Sequence, residues 1–239
     1  MENMSYIGLS RQMALRRQMD IIANNLANID SNAYKRQSVL FQEYLFDKDL
    51  GKPMSFVLDY GVARDLSPGK TQATGNPMDL AITGDGYLVV KTEEGERYTK
   101  SGRLSIDENG TLVTQTGDPV LDDGGGEISF TEEDGEITIA ADGSITTDLG
   151  PIGKLNVVAF ENEQNLRRVV AGLYRTDDAP IEPQDAEVLQ GMLEKSNVQP
   201  VLEMTNMINV LRSYQSTQRM LDTEHDLQRR AIDRLGRTG

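Results

Sequence analysis

Both ends of this chain carry an apolar side chain every three or four residues, a period that commits them to long amphipathic helices. After Pro200 the series runs Met204, Met207, Leu211, Tyr214, Gln218, Leu221, His225, Gln228, Ile232 and Leu235 without a break. Near the start, Leu15, Met19, Ile22, Leu26 and Ile29 follow the same steps. A helix from Ser5 to Asn28 would be about 36 Å long, and the polar cluster Asn28, Asp30, Ser31 and Asn32 stops it. For the second helix, Ser196 or Asn197 can cap the start, Pro200 suits an early helical position and Gly236 can close the end. Such helices are marginal alone in water, so each stripe has to be covered. The simplest cover is the other terminal helix, in a coiled-coil-like pair. Ile21, Val210, Met220, Leu227 and Ala231 lie off the main seams and make a second, narrower strip that needs another molecule. The periodicity is equally compatible with the core of a monomeric bundle.

Between Asn76 and about Leu189 the period changes. Short apolar runs at Tyr87 to Lys91, Arg103 to Ile106, Thr111 to Thr114, Ile137 to Ala140 and Leu155 to Phe160 alternate with Gly-Asp-Gly, Asn-Gly, Gly-Gly-Gly and Asp-Gly turn signals. Strands at that spacing predict an antiparallel β domain. The expected class is therefore α+β: residues 1–33 as an N-terminal helix, 34–74 as an extended connector broken by Gly51, Pro53, Gly61, Pro68 and Gly69, 75–190 as an inserted antiparallel β-rich domain, and 191–239 as a C-terminal helix paired with the first.

Counting removes most chemistry. The chain has no cysteine and one histidine, His225, which excludes disulfides, thiolate catalysis and multi-histidine metal sites. On a charged helix His225 reads as a packing residue. The net charge is −14, and residues 75–190, with 24 acidic and 8 basic side chains, hold all of the net acidity. An acidic middle repels phosphate, so no nucleic acid partner is expected. Asp107-x-Asn109 starts like a calcium loop but fails at Thr111 and Leu112, and Gly84-x-Gly86 lacks the third glycine of a dinucleotide loop. Tyr87, Tyr98, Phe130, Phe160 and Tyr174 are scattered along the strand signals, which disfavours a secreted ligand-binding module with an aromatic pocket. No stretch is apolar for the roughly 18 residues of a membrane helix, and charges from Glu2 to Asp20 interrupt any signal-peptide core of about 7 to 15 apolar residues.

Three blocks of motifs carry a resemblance. Ala23-Asn24-Asn25-Leu26-Ala27-Asn28 followed by Ser31, Tyr34, Lys35 and Arg36 opens it; Gly75 to Ile82, Tyr98-Thr99-Lys100 and Gly110 to Thr114 continue it; and Leu193 to Val198, including Ser196, Asn197 and Val198, with Glu203-Met204-Thr205, Arg212 and Tyr214-Gln215, completes it. In this order they resemble the flagellar rod, hook and hook-associated axial proteins of bacteria. Ala33 stands where that family usually has glycine, which disfavours a positive φ there. The resemblance implies a structural, non-enzymatic subunit with no cofactor, placed in the basal-body rod, with a distal-rod or hook-type protein as the alternative. It further implies other rod proteins and copies of itself as partners, export through the flagellar type III apparatus without a cleaved signal, and a periplasm-spanning location. On that reading Leu15, Met19, Ile22, Leu26 and Ile29 pack with Met204, Met207, Leu211, Tyr214, Leu221 and Ile232 in an inner helical tube.

Overall fold

The computed structural model describes the backbone of residues 2–46 and 54–235 and the side chains of 6–42, 60–230 and Asp233. The chain divides into two compact units, Met1–Asn28 with Arg36–Asp65 and Val198–Gly239, and Ile29–Lys35 with Leu66–Asn197. The class is α+β, as the two periodicities require.

The first unit holds helices α1 (Glu2–Ala27) and α2 (Pro200–Leu235) and an antiparallel hairpin of β1 (Gln37–Phe46) and β2 (Met54–Arg64). The segment read as a connector is thus extended, but it pairs with itself; residues 47–53 lie outside the described ones. Gly61, read as a breaker, sits at a bulge: Leu40 faces Gly61 and Phe41 faces Asp59, so Tyr60 is the extra residue, and Gly61 takes a φ of +147° that a side chain would strain. Along the helices, Asn25 meets Glu203, Gln12 donates to Gln218 at 2.5 Å, and Gly8 lies against Leu221, an order that makes the pair antiparallel. A Cβ on Gly8 would come within 2.6 Å of the Leu221 Cδ2 atom. Gly8→Ala is therefore expected not to deliver the gain of about 1 kcal/mol that alanine gives over glycine inside a helix, as checked by urea unfolding.

The second unit is built of short antiparallel strands. A five-stranded sheet runs in the spatial order Val157–Val158, Tyr87–Thr92, Gly95–Thr99, Leu173–Arg175 and Arg167–Arg168. A four-stranded sheet runs Val188–Gln190, Asp79–Ile82, Gly102–Ile106 and Leu112–Thr114, and Gly150–Lys154, Ser144–Thr147 and Thr138–Ile139 form a third. Leu80, Leu88, Val90, Leu112, Ile145 and Leu155 centre the main core. This unit extends past 75–190 at both ends because Thr71–Ala73 pairs with Met192–Glu194, and Ile29–Lys35 joins it. The aromatic residues read as scattered are not: Tyr87, Tyr98, Phe160 and Tyr174 gather in a buried cluster with edge-to-face rings 4.8 to 6.0 Å apart, while Phe130 joins the main core. Strand alternation brings them to one face, a closeness that linear spacing hides.

Turn aspartates lock the loops. Asp107 accepts from the backbone N–H groups of Thr111 and Asn109, Asp134 from the N–H and hydroxyl of Thr131 and the hydroxyl of Thr147, and Asp142 from the N–H and hydroxyl of Ser144. The Asp107 carboxylate is spent on a turn, which accounts for its calcium-like spacing. These hydrogen bonds, led by those from Thr111, Thr131 and Ser144, hold all three carboxyls below the ordinary aspartate range. A depressed native pKa stabilises above the unfolded value of about 4 and loses that contribution as pH falls through the native values. The melting temperature is therefore expected to fall on acidification below about pH 4, and Asp107→Asn with Asp134→Asn to flatten that fall, as followed by circular dichroism.

Candidate assembly interface

Among the described residues, some of the buried polar side chains gather in two knots, one in each unit. In the first, Asn25 on α1 is fully buried, and its amide completes a backbone-like pair with Gln37 at the start of β1: Nδ2 donates to the Gln37 carbonyl at 2.8 Å and Oδ1 accepts from the Gln37 N–H at 2.9 Å. The same Nδ2 reaches Glu203 on α2 at 3.2 Å. Glu203 is 1% exposed and takes the Arg36 Nε at 2.6 Å. A helix, a strand start and the opposite helix are thus tied at one carboxylate, whose burial is tolerable only because its oxygens are satisfied.

In the second knot the Lys35 ammonium, 3% exposed, donates to Glu194 at 2.8 Å and to the Ser67 carbonyl at 3.0 Å. Glu194 also accepts from the Gly69 N–H, and its own carbonyl accepts from the Ala33 N–H, each at 2.8 Å. Ala33 adopts φ +52°, the left-handed conformation that the missing glycine leaves strained, yet it is buried with its N–H bonded. With Asp85, Lys100 and Glu163, the Lys35–Glu194 pair lines a cavity of about 430 Å³. Burial, aided by the Lys35 charge, lowers the pKa of Lys100, whose ammonium donates to the Gly84 and Gly86 carbonyls above the Tyr87 ring. The Gly84-x-Gly86 turn is therefore held by a lysine. Among the described residues no group of three or more histidines and carboxylates is placed to hold a metal ion.

The other signature residues surround these knots. Asn28 bonds the carbonyl and side chain of Asn24, Ser31 accepts from the Tyr34 N–H at 3.4 Å, and the Tyr34 ring is buried beneath the Arg168 guanidinium. Leu26 is half-buried, whereas Ala23 and Ala27 face solvent. The Asn197 amide holds the Ser67 carbonyl at 2.9 Å, beside half-buried Ser196, and Val198 is buried.

The seam of α2 is turned by one residue at alternate positions. Its buried residues are Glu203, Val210, Thr217 and Glu224, seven apart, with Met207, Tyr214 and Leu221 half-buried between them. Met204 and Leu211, expected on the seam, are 48% and 44% exposed, while Val210, expected off it, is buried. Three of the four innermost positions are polar, so a reading by hydrophobicity slid to the neighbouring apolar column. On α1, Ile22 is buried as expected and Leu15, Met19, Leu26 and Ile29 are half-buried, but Ile21, read as off-seam, is buried as well. The Ile232 side chain lies outside the described residues. Among the described residues two apolar strips remain in the open: Val201, Met204, Ile208 and Leu211 on α2, and Tyr6, Leu9 and Met13 on α1. Each follows helical steps of three and four, so each is a continuous stripe along its helix.

Comparison with known proteins assigns these features. Residues 6–35 match the family described as flagella basal body rod protein, 81–147 the D1 domain of the flagellar hook protein FlgE/F/G, and 189–234 the C-terminal region of the flagellar basal body rod FlgEFG protein. The flagellar basal-body rod protein FlgF of Caulobacter vibrioides is 41% identical over 99% of both chains, and that of Mesorhizobium japonicum 34% identical over 99% of both. FlgG of Bacillus subtilis is 31% identical over 93% of this chain and 95% of its own. The chain belongs to the flagellar basal-body rod family. Within this structural family, which is not one of enzymes, the N-terminal match spans Asn25 and Lys35 and the C-terminal match spans Glu194 and Glu203, the partners of the two knots. Sequence reading quoted these residues as motif letters without a role. The available signal was at Asn25 and Glu203, an amide and an acid on the buried faces of helices, where a partner lowers the cost of burial.

Proposed function

We propose that this chain is a structural subunit of the proximal flagellar basal-body rod, joined to other rod proteins and to copies of itself in a helical tube that transmits torque from motor to hook. The paired terminal helices line the tube, in coiled-coil fashion. One observation carries this reading: a rod-family chain leaves the strip Val201, Met204, Ile208 and Leu211 exposed although the helix pair beside it is already closed by Asn25, Glu203 and Arg36. Complete burial of a leucine-sized side chain is worth about 1.5 to 3 kcal/mol, so covering what remains exposed here yields about 1 kcal/mol per residue, repeated at every subunit contact. No described helix is long and apolar enough to cross a membrane. We further propose that the subunit leaves the cytoplasm through the flagellar type III apparatus, helices unpaired, and orders its ends against neighbours in the periplasm.

The test is Met204→Asp with Leu211→Asp in cells that lack the chromosomal copy. Both side chains are exposed, so the stability of the purified chain is expected to change by no more than about 0.5 kcal/mol per site. Rod completion, read as hook-basal bodies under the electron microscope, is expected to be lost. Normal basal bodies carrying the doubly substituted chain would remove this strip from the assembly surface.

A further inference from the structure

We propose that the hairpin of Arg167–Arg168 and Leu173–Arg175 is a docking surface for the acidic turn at Glu132, Glu133 and Glu136 of a second copy of this chain, a contact that rests on the rod reading above. Of the eight cations in residues 75–190, three are bonded locally and two more lie near a carboxylate without forming an ion pair among the described residues. Lys91 pairs with Glu127 and Arg97 with Glu94, both at 2.9 Å, Lys100 is bonded to glycine carbonyls, Arg103 lies opposite Asp79 in register, and the charge of Lys154 acts on Asp142. The other three sit together on this hairpin. Arg168 turns inward over Tyr34, 4.7 Å from its ring centre. Arg167 and Arg175 are direct cross-strand partners, both exposed, and neither forms an ion pair among the described residues. Like charges set opposite each other repel, an arrangement that a facing carboxylate reverses. Nearby Asp178 is occupied by the Asn165 amide.

The tip of the hairpin adds an apolar anchor. Val170 is 85% exposed, beside exposed Val169, on a turn in which Ala171 holds φ +60° and the Val169 N–H bonds the Leu173 carbonyl at 2.9 Å. Arg167–Arg168 is also the outer strand of its sheet. A rigid apolar tip flanked by two unpaired guanidiniums on a sheet edge fits a carboxylate-rich surface. The chain carries one. Glu132, Glu133 and Glu136 are exposed around the turn that Asp134 pins to Thr131, and none forms an ion pair among the described residues. Basic hairpin and acidic turn are different patches, so the contact, where it is not reciprocated within a pair, is head-to-tail and can propagate, as a rod requires.

The absence of cysteine permits a direct test in assembled basal bodies. Full-length chain carrying both Arg167→Cys and Glu133→Cys, each at an exposed site, is expected to give disulfide-linked multimers of itself on oxidation. Basal bodies that contain this chain but yield only uncrosslinked monomer, or a cross-link only to a different rod protein, would overturn the proposal while leaving the rod reading intact. Basal bodies formed without the chain would remove both. As an independent arm, Arg167→Glu with Arg175→Glu is expected to lose motility and to regain it when Glu132, Glu133 and Glu136 become lysine in the same chain. Loss without recovery, with the variant still folded by circular dichroism, counts against the pairing.

Discussion

Glu194→Ala is expected to destabilise the β unit by about 3 to 5 kcal/mol, because it removes one half of a buried ion pair and leaves the other half behind. Lys35 would keep only the Ser67 carbonyl, and the Gly69 N–H would lose its acceptor. A loss of that size is a large share of the 5 to 15 kcal/mol that typically holds a domain together. The midpoint of urea unfolding reads it. Lys35→Met with Glu194→Leu, which removes both charges and fills the space, is expected to cost clearly less than the single change. A single substitution no worse than the double would mean that the buried pair does not hold the segment Ile29–Lys35 on its unit.

Glu203→Ala is the matching case in the helical unit, with an expected cost of about 3 kcal/mol. Fully buried Asn25 would lose one acceptor while its pair with Gln37 persists, and Arg36, which is a third exposed, can turn to water. The effect is expected in α1, α2 and the start of β1 together, read as faster amide exchange at all three. Glu203→Gln should recover part of the loss, since an amide oxygen can still accept from Asn25 or Arg36. Slower exchange in α1 after Glu203→Ala would show that the carboxylate strains the pair instead of tying it.

The helices were legible from period alone, and so was the β character of the middle, because a repeat of 3.6 and an alternation punctuated by Asn-Gly and Asp-Gly are local properties. The hairpin Gln37–Arg64 was not. Its pairing depends on a bulge that makes Gly61 useful where it looked disruptive. Nor was the rotation of α2. Glu203 faces inward through contacts supplied by Asn25 and Arg36, and Thr217 and Glu224 are buried on the same face, which no count of apolar residues along one helix can register. For the same reason Val210 and Leu211 exchanged places, and the strip left exposed is the one that looked like the core. The motif residues were found by resemblance, but their work is tertiary: Asn25, Lys35, Glu194 and Glu203 make sense only once residues up to 178 positions apart meet.

The most direct test is the accessibility of a single thiol at Leu211→Cys, in a chain that has no other. In the purified subunit maleimide labelling is expected to be fast, since that position is open on α2; in intact basal bodies it is expected to be strongly protected, with Asp233→Cys as a further exposed reference on the same helix. Equal labelling of Leu211→Cys in the free and assembled states would contradict a rod held together through the exposed helical strip.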